Sequence, residues 1–275
     1  MLLGIFAKTF AAKGARASLA AVRAAGFEAA QFNMACLGLP SMPEAIPAAI
    51  ADEIAAAARE TGVALPALSG TYNMIHPDPR RRAEGLARLA VLLTTARRIG
   101  IGVLTVCTGT RDAEDMWRAH PANASREAWA DLCEEMAKAL RLAEEAGVDI
   151  GVEPELANVI DSVDKALRLA SEMRSPRLRF VLDPANLIEI ATPAERRAII
   201  EDAALRLAGG ISIAHAKDRA ADGLFVAAGK GVIDFKHFIR SLRRAGFDGP
   251  LIAHGLDERE APDVARYLRA AMEDK

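Results

Sequence analysis

Four polar side chains stand at the ends of apolar runs in the second half of the chain, and together they could hold a metal ion. Glu153 closes DIGVE, Asp183 closes LRFVLD, His215 closes ISIAH and His254 closes PLIAH. Carboxylates and imidazoles are donor groups that bind Mn²⁺, Fe²⁺, Co²⁺ and Zn²⁺ in proteins. If the four runs are neighbouring parallel strands, their ends meet at one face, and the sequence predicts a four-ligand metal site there.

The stretch Leu178–Asn186, LRFVLDPAN, shows how such a residue is positioned. Its apolar, β-prone beginning predicts a strand buried on both faces, as in parallel sheets. Pro184 has no N–H with which to continue the ladder, so Asp183 is left at the carboxyl end of the strand. In parallel α/β folds, ligands bind at that end.

Strand-like runs alternate with helix-like segments along the whole chain. Several helix-like segments end in glycine followed by a β-prone residue, as in AGF and TGV, which is typical of a left-handed glycine that terminates a helix. The eight predicted strands are Leu2–Phe6, Phe27–Asn33, Val63–Ser69, Val103–Cys107, Asp149–Glu153, the strand within Leu178–Asn186, Ile211–His215 and Pro250–His254.

Eight such units, with no linker rich in Gly, Ser or Pro, predict an α/β protein with a (β/α)8 TIM barrel, a single domain over residues 1–275. An open, doubly wound sheet is the alternative, because the order of the elements does not show closure. Eight units favour the barrel. The polar loops follow the strands, which suits a barrel with its function at one face.

Composition limits the kinds of binding partner and the cellular compartment that we expect for this chain. The chain is 51% hydrophobic with a formal net charge of −2, so it can bury a large core and has no basic field for nucleic acid. Without a long apolar run or a signal-peptide pattern, we expect neither a membrane span nor export. Three cysteines without metal-type spacing favour a reducing, cytoplasmic location. The alanine-rich outer helices would allow a homo-oligomer.

Five motifs carry a resemblance to a known family. They are GVEPELAN at Gly151–Asn158, VLDPANL at Val181–Leu187, HAKD at His215–Asp218, GKGVIDF at Gly229–Phe235 and PLIAHGLDE at Pro250–Glu258. Together they resemble the xylose-isomerase-like TIM-barrel superfamily, the sugar phosphate isomerases and epimerases related to tagatose 3-epimerase. The resemblance covers essentially the whole chain and implies a divalent metal cofactor and a small, sugar-like substrate.

The resemblance implies that Glu, Asp, His and Glu on strands five to eight hold the metal. Glu153, Asp183 and His215 match the first three positions, whereas His254 stands where the family has glutamate. In the epimerases that glutamate is one of two bases that face each other across the substrate, so two-base epimerisation lacks one of its groups here. Asn186 likewise occupies a position that is histidine in the tagatose-type enzymes.

The histidine at the fourth position changes the charge of the site. Two carboxylates and two neutral imidazoles bring a charge of −2, whereas three carboxylates and one imidazole would bring −3. More nitrogen and less negative charge favour Mn²⁺, Fe²⁺ or Zn²⁺ over Mg²⁺ as the cofactor.

A metal of this kind stabilises the enediolate that forms when a proton leaves the carbon beside a carbonyl. Glu153 is the candidate base, and Lys217 is a candidate contact to a substrate oxygen, with an ion pair to Asp218 as its alternative. The leading hypothesis is therefore a metal-dependent isomerase or epimerase of a small sugar or related hydroxy-carbonyl compound.

Other function classes remain open or are disfavoured. A lyase or dehydratase on the same barrel is the first alternative, and a catalytically silent sugar-binding protein is the second. A DNA-repair endonuclease is disfavoured, because it would need more metal-binding histidines than this chain's five and a positive face.

Further residues are candidate substrate contacts, each with a structural alternative. Turn structure, loop packing or ion pairing explains most of them about as well, and Thr108–Asn123 is long enough to form a lid. The candidates are His76, Trp117, His120, Glu155 and Asn186.

Overall fold

The computed structural model describes residues 1–274 and joins the strands into one closed, parallel, eight-stranded barrel. Closure comes from the first and last strands, which pair from Leu2 with Pro250 to Ile5 with Ala253. The TIM-barrel prediction is confirmed, and the open doubly wound sheet is wrong. The barrel strands are Leu2–Phe6, Ala29–Phe32, Ala64–Ser69, Val103–Cys107, Asp149–Glu153, Leu178–Leu182, Ile211–Ala216 and Pro250–Ala253.

Within residues 1–274, eight α-helices follow the eight strands. They are α1 (Ala15–Ala24), α2 (Ala48–Thr61), α3 (Pro79–Ile99), α4 (Arg126–Ala146), α5 (Val163–Met173), α6 (Pro193–Arg206), α7 (Phe235–Arg244) and α8 (Ala261–Glu273). Side chains such as Ser125 and Ser162 cap the helices at their first turns, and a left-handed Gly147 ends α4 as predicted. None of these helices has the length and apolar character needed to cross a bilayer.

Some element ends differ from the predictions. The second strand begins at Ala29 rather than Phe27, whose side chain is buried in the core before the ladder starts. Helix α1 begins at Ala15, and the residue before it, Gly14, has no side chain with which to cap the first turn. The sequence also did not reveal a short antiparallel hairpin, Asp218–Arg219 with Phe225–Val226, because two-residue strands have too little periodicity to recognise.

The core has two layers. The larger one lies between the strands and the helices. The smaller one fills the barrel interior and consists of Ala29, Ala67, Val181, Ile213 and Ile252, against which Leu2, Phe6 and Val103 pack. Because side chains alternate along a strand, the residue two positions farther on points into the barrel again. The apolar layer is thus the floor beneath whatever lies at the barrel's carboxyl-terminal mouth.

Closure of the barrel depends on a small residue in the first strand. A Cβ atom on Gly4 would lie 2.5 Å from Ile252 Cδ1, 2.9 Å from the Ala29 carbonyl oxygen and 3.0 Å from Ala29 Cβ. Distances this short force neighbouring strands or side chains to move. Gly4 therefore allows the first strand to approach both of its neighbours.

We predict that Gly4→Ala lowers the free energy of unfolding by about 1–3 kcal/mol, because it overpacks the barrel interior. Gly102→Ala is the matched control, since a Cβ there meets nothing within 4 Å. Urea denaturation of the two variants measures the difference. Equal stability of both variants would contradict the packing role of Gly4.

Candidate metal centre at the mouth of the barrel

The two-residue period carries polar side chains to the mouth of the barrel. On the sixth strand Asp183 follows Val181, and on the seventh His215 follows Ile213, both one step above the apolar floor. The same step on the other strands completes a set that we call the mouth ring. The mouth ring consists of Phe6, Gln31, Ser69, Thr105, Glu153, Asp183, His215 and His254.

Half of the mouth ring brings the four predicted ligands together. The candidate ligand atoms of Glu153, Asp183, His215 and His254 all lie within 4.8 Å of one another. His215 Nδ1 is 3.1 Å from Glu153 Oε1, and His254 Nε2 is 2.9 Å from Asp183 Oδ2. The first three side chains are buried, and His254 is partly buried. Four adjacent strands thus present four donor groups to one small volume.

The electrostatics of this group keep both carboxylates ionised. Burial alone would raise the pKa of Glu153, but His215 and His254 beside it hold the pKa below its ordinary value. Burial also opposes ionisation of Asp183, yet Lys217 and His254 hold its pKa far below the usual range. Removal from water lowers the pKa of His254, which leaves that imidazole neutral near pH 7.

The donor set fits a divalent transition metal. Ionised carboxylates and neutral imidazole are the forms in which these groups bind metals. A cation among them would offset the charge of two carboxylates that are costly to bury. Mg²⁺ prefers oxygen ligands, so two imidazoles weigh against it. Glu153, Asp183, His215 and His254 are the side chains that would hold such an ion.

Asn186 and Lys217 border this group. Asn186 Nδ2 donates to Glu153 Oε1 at 2.8 Å, and Lys217 Nζ donates to Asn186 Oδ1. Lys217 Nζ also lies 3.6 Å from Asp183 Oδ2 and 3.8 Å from the centre of the Phe225 ring. The alternative pairing of Lys217 with its neighbour Asp218 is not the arrangement found. Lys217 points into the mouth instead.

Asp218 organises the loop after the seventh strand. Its carboxylate is fully buried and accepts backbone N–H groups from Arg219, Gly229, Gly231 and Ile233 at 2.8–3.0 Å. A Cβ on Gly231 would lie 2.1 Å from the Arg219 carbonyl oxygen, so the loop closes tightly at that point. The GKG segment is therefore held against the end of the seventh strand.

Glu155 lies two residues beyond Glu153 in the next loop. Burial raises the pKa of Glu155 to about 7, against the attraction of Lys217, with Glu153 and Asp183 adding to the rise. Its carboxyl group is thus electrostatically coupled to the centre, although it is not among the four candidate ligands. Its predicted contact with substrate stays a prediction.

A family model described as a xylose isomerase-like TIM barrel matches residues 19–274. The chain belongs to that family. The resemblance predicted from the five sequence motifs is confirmed, and the match takes in all four residues of the candidate centre. In this xylose isomerase-like barrel the candidate ligand directly after the eighth strand is His254.

Two relatives of this chain are named as epimerases. The L-ribulose-5-phosphate 3-epimerase of Shigella flexneri serotype 5b (strain 8401) is 25% identical over 220 residues, which cover 77% of this chain and 71% of the relative. The enzyme of the same name from Escherichia coli O157:H7 (strain EC4115 / EHEC) is 26% identical with the same coverage.

Solved structures share the whole barrel. The apo 3-keto-D-glucoside 4-epimerase from E. coli aligns with a TM-score of 0.77 at 17% identity, covering 98% of this chain and 99% of that one. The D-psicose 3-epimerase from Clostridium cellulolyticum H10, crystallised with D-tagatose, aligns with a TM-score of 0.74 at 16% identity, covering 99% and 100%. At these identities the likeness supports the fold.

Three predicted substrate contacts lie in the loops after the third and fourth strands, and the two histidines have partners there. His76 uses both ring nitrogens for backbone atoms of these loops, at 3.0 and 3.1 Å. His120 caps the short helix Pro121–Ala124. Trp117 is 54% exposed. The hydrogen bonds favour the structural interpretation of both histidines, and substrate binding by all three residues stays a prediction.

Four residues of the mouth ring were not predicted from the sequence as site residues: Phe6, Gln31, Ser69 and Thr105. Gln31 Oε1 lies 3.0 Å from His215 Nε2, and the Phe6 ring stacks on His254 with 4.6 Å between centroids and 15° between planes. Both occupy on strands one and two the position that the predicted ligands occupy on strands five to eight. The same two-residue count, applied to all eight strands, would have found them.

We predict that His254→Ala protein, purified without chelator, binds transition metal roughly 10- to 100-fold more weakly than wild type, since a lost ligand costs at least as much as a lost outer partner. Elemental analysis and metal titration measure this. The matched control is His237→Ala, because His237 lies on α7 and bonds to the Arg197 carbonyl oxygen. Equal metal binding by both variants would remove His254 from the site.

Proposed function

We propose that this protein is a divalent-metal-dependent isomerase or epimerase of a small sugar or related hydroxy-carbonyl compound. The observation that carries the proposal is the convergence of the Glu153, Asp183, His215 and His254 donor atoms within 4.8 Å at the barrel mouth. Family membership and relatives that epimerise L-ribulose 5-phosphate support the same class of reaction.

A divalent cation held here would polarise a substrate carbonyl and stabilise negative charge on its oxygen. Glu153 would take the proton from the neighbouring carbon. Its Oε1 atom already accepts from Asn186 and is close to His215. Its Oε2 atom has, within residues 1–274, only the Cys107 thiol as a partner, at 3.8 Å. Oε2 is therefore the oxygen available to a substrate proton.

The surroundings of Glu153 suit a base of fixed position. Asn186 ties Glu153 to Lys217, so the carboxylate is held at one oxygen while the other is available. The lowered pKa of Glu153 keeps it ionised and ready to accept a proton. Lys217, which is buried at the mouth, would contact a substrate oxygen.

His254 bears on which reaction follows. His254 is an imidazole whose Nε2 lies 2.9 Å from Asp183 Oδ2, so it does not supply a carboxylate opposite Glu153. One carboxylate base can take a proton from one carbon and return it to the adjacent carbon on the same face of the substrate, while the hydroxyl proton passes to the former carbonyl oxygen. That reaction is aldose–ketose isomerisation. Epimerisation needs a second proton donor on the opposite face. Isomerisation is thus the reaction that these residues perform most directly.

Deuterium exchange tests the proposal on many candidate sugars in parallel. The protein is incubated in D₂O with Mn²⁺ and a panel of ketoses, including L-ribulose 5-phosphate and D-psicose, and proton NMR follows the carbon beside the carbonyl. Metal-dependent deuterium incorporation is the expected result. Loss of water from a substrate would point to a dehydratase, and binding without exchange or turnover to a silent binding protein.

We predict that Glu153→Gln lowers exchange and turnover by about 10²–10⁴-fold, because the carboxylate base is lost, with only a modest loss of metal. Exchange kinetics and metal titration on the same protein separate the two effects. Glu135→Gln is the control, since Glu135 is a buried glutamate on α4 bonded to Tyr72. Retained exchange in Glu153→Gln protein would refute the assignment of the base.

We also predict that Mn²⁺ or Zn²⁺ outcompetes Mg²⁺ at equal concentration, by roughly tenfold or more, because two ligands are imidazoles. A competition titration read by isothermal calorimetry measures the ratio. Equal affinity for Mg²⁺ and Mn²⁺ would show that the histidines do not set the preference.

A further inference from the structure

Three other mouth-ring residues, Gln31, Ser69 and Thr105, form a hydrogen-bonded cluster that reaches the candidate ligand His215. Gln31, on the second strand, is 2% exposed. Its Nε2 atom donates to Ser69 Oγ at 3.0 Å and to Thr105 Oγ1 at 2.9 Å. Its Oε1 atom lies 3.0 Å from Nε2 of His215, on the seventh strand. The amide thus spans the barrel interior between strands two and seven.

A buried amide in the centre of a barrel needs an explanation, because an unbonded polar group there is costly. Gln31 has partners for its donors on strands three and four and a partner for its acceptor on strand seven. An apolar side chain would pack without any of them. The contact with His215, the candidate metal ligand to which Gln31 is hydrogen-bonded, therefore explains why a polar side chain occupies this position.

The two nitrogens of His215 have different surroundings. Nδ1 faces Glu153 Oε1 at 3.1 Å, among the candidate ligand atoms, whereas Nε2 faces Gln31. A neutral imidazole carries one proton, and the nitrogen that binds a metal must be the unprotonated one. For Nδ1 to bind, Nε2 must carry the proton and needs an acceptor. Gln31 Oε1 is that acceptor.

We propose that Gln31, held by Ser69 and Thr105, is the positioning residue that keeps the His215 proton on Nε2 and so presents Nδ1 to the metal. The proposal deepens the proposed function and rests on its metal site. Partners that fix the tautomer of a ligand histidine also raise its basicity, and their loss weakens metal binding. His254 is positioned differently, by the Phe6 ring stacked on it.

The opposite orientation of the Gln31 amide would place the His215 proton on the other ring nitrogen. If the Gln31 NH₂ group faced His215, Nε2 would have to accept, and the proton would sit on Nδ1. The imidazole would then donate to Glu153 and have no lone pair for a cation. The position of one proton on His215 therefore decides between the two arrangements.

The test uses two substitutions of similar length, one that removes the acceptor facing His215 and one that retains it. Gln31→Met has a similar length but no acceptor, whereas Gln31→Glu keeps the acceptor and strengthens it. Zn²⁺ is the probe, its affinity measured by competition with a chromophoric chelator. Long-range ¹H–¹⁵N NMR of the Zn²⁺-loaded proteins reads the protonated nitrogen of each of the five histidines.

We expect the wild-type His215 proton on Nε2, and Zn²⁺ affinity roughly 10- to 100-fold lower in Gln31→Met. Gln31→Glu should match or exceed the wild type, and the His254 signals should keep their tautomer in both variants. A wild-type proton on Nδ1, or a Gln31→Met protein with unchanged Zn²⁺ affinity and tautomer, would overturn the proposal while leaving the metal site intact. A wild type that binds no Zn²⁺ would overturn the metal site itself.

A second pair of variants tests the hydrogen-bonded cluster independently, in case the Gln31→Met protein misfolds. Thr105→Val removes one partner of the Gln31 amide and should weaken Zn²⁺ binding in the same direction but less. Thr95→Val removes an equally buried hydroxyl from α3, where it bonds to the Val91 carbonyl oxygen, and should leave Zn²⁺ binding unchanged. Equal Zn²⁺ affinities for the two threonine variants would count against a role for the cluster.

Discussion

The two-residue period of a β-strand, imposed on eight strands that close on themselves, sets the position of every side chain in the candidate metal centre. The apolar floor and the mouth ring are successive steps of that period. Closure through Leu2 and Pro250 places the first strand beside the eighth, which lets the Phe6 ring stack on His254. Without closure, neither that contact nor the bond from Gln31 to His215 would form.

The centre concentrates polar groups where a barrel would otherwise be apolar. Glu153 and Asp183 are ionised although buried, and such charges are tolerated only with partners. His215 and His254 contact the two carboxylates and offset part of the cost of burying them, and Lys217 adds a further contact to Asp183. The remaining negative charge is what a divalent cation would neutralise. The stability cost of this arrangement is the expected cost of a functional site.

The loop after the seventh strand also contains a buried carboxylate that is stabilised by hydrogen-bond partners. Asp218 binds four backbone N–H groups and so holds this loop in one shape next to Lys217. Arg219 then donates to the Ala185 carbonyl oxygen at 2.7 Å, and its guanidinium lies 4.1 Å from the centre of the Phe225 ring. The Arg219 guanidinium thereby connects the loop after the seventh strand to the loop after the sixth.

The sequence by itself determined the eight β/α units and the four candidate ligands, because an apolar run, a turn residue and a fixed period are local signals. Asp183 before Pro184 could be placed at a strand end without any tertiary information. Only the tertiary structure decided closure, the partner of Lys217 and the contact between Gln31 and His215. Gln31 and His215 are 184 residues apart, and nothing local to either residue shows that they meet. Contacts across a barrel depend on how the strands close, which is a property of the whole chain.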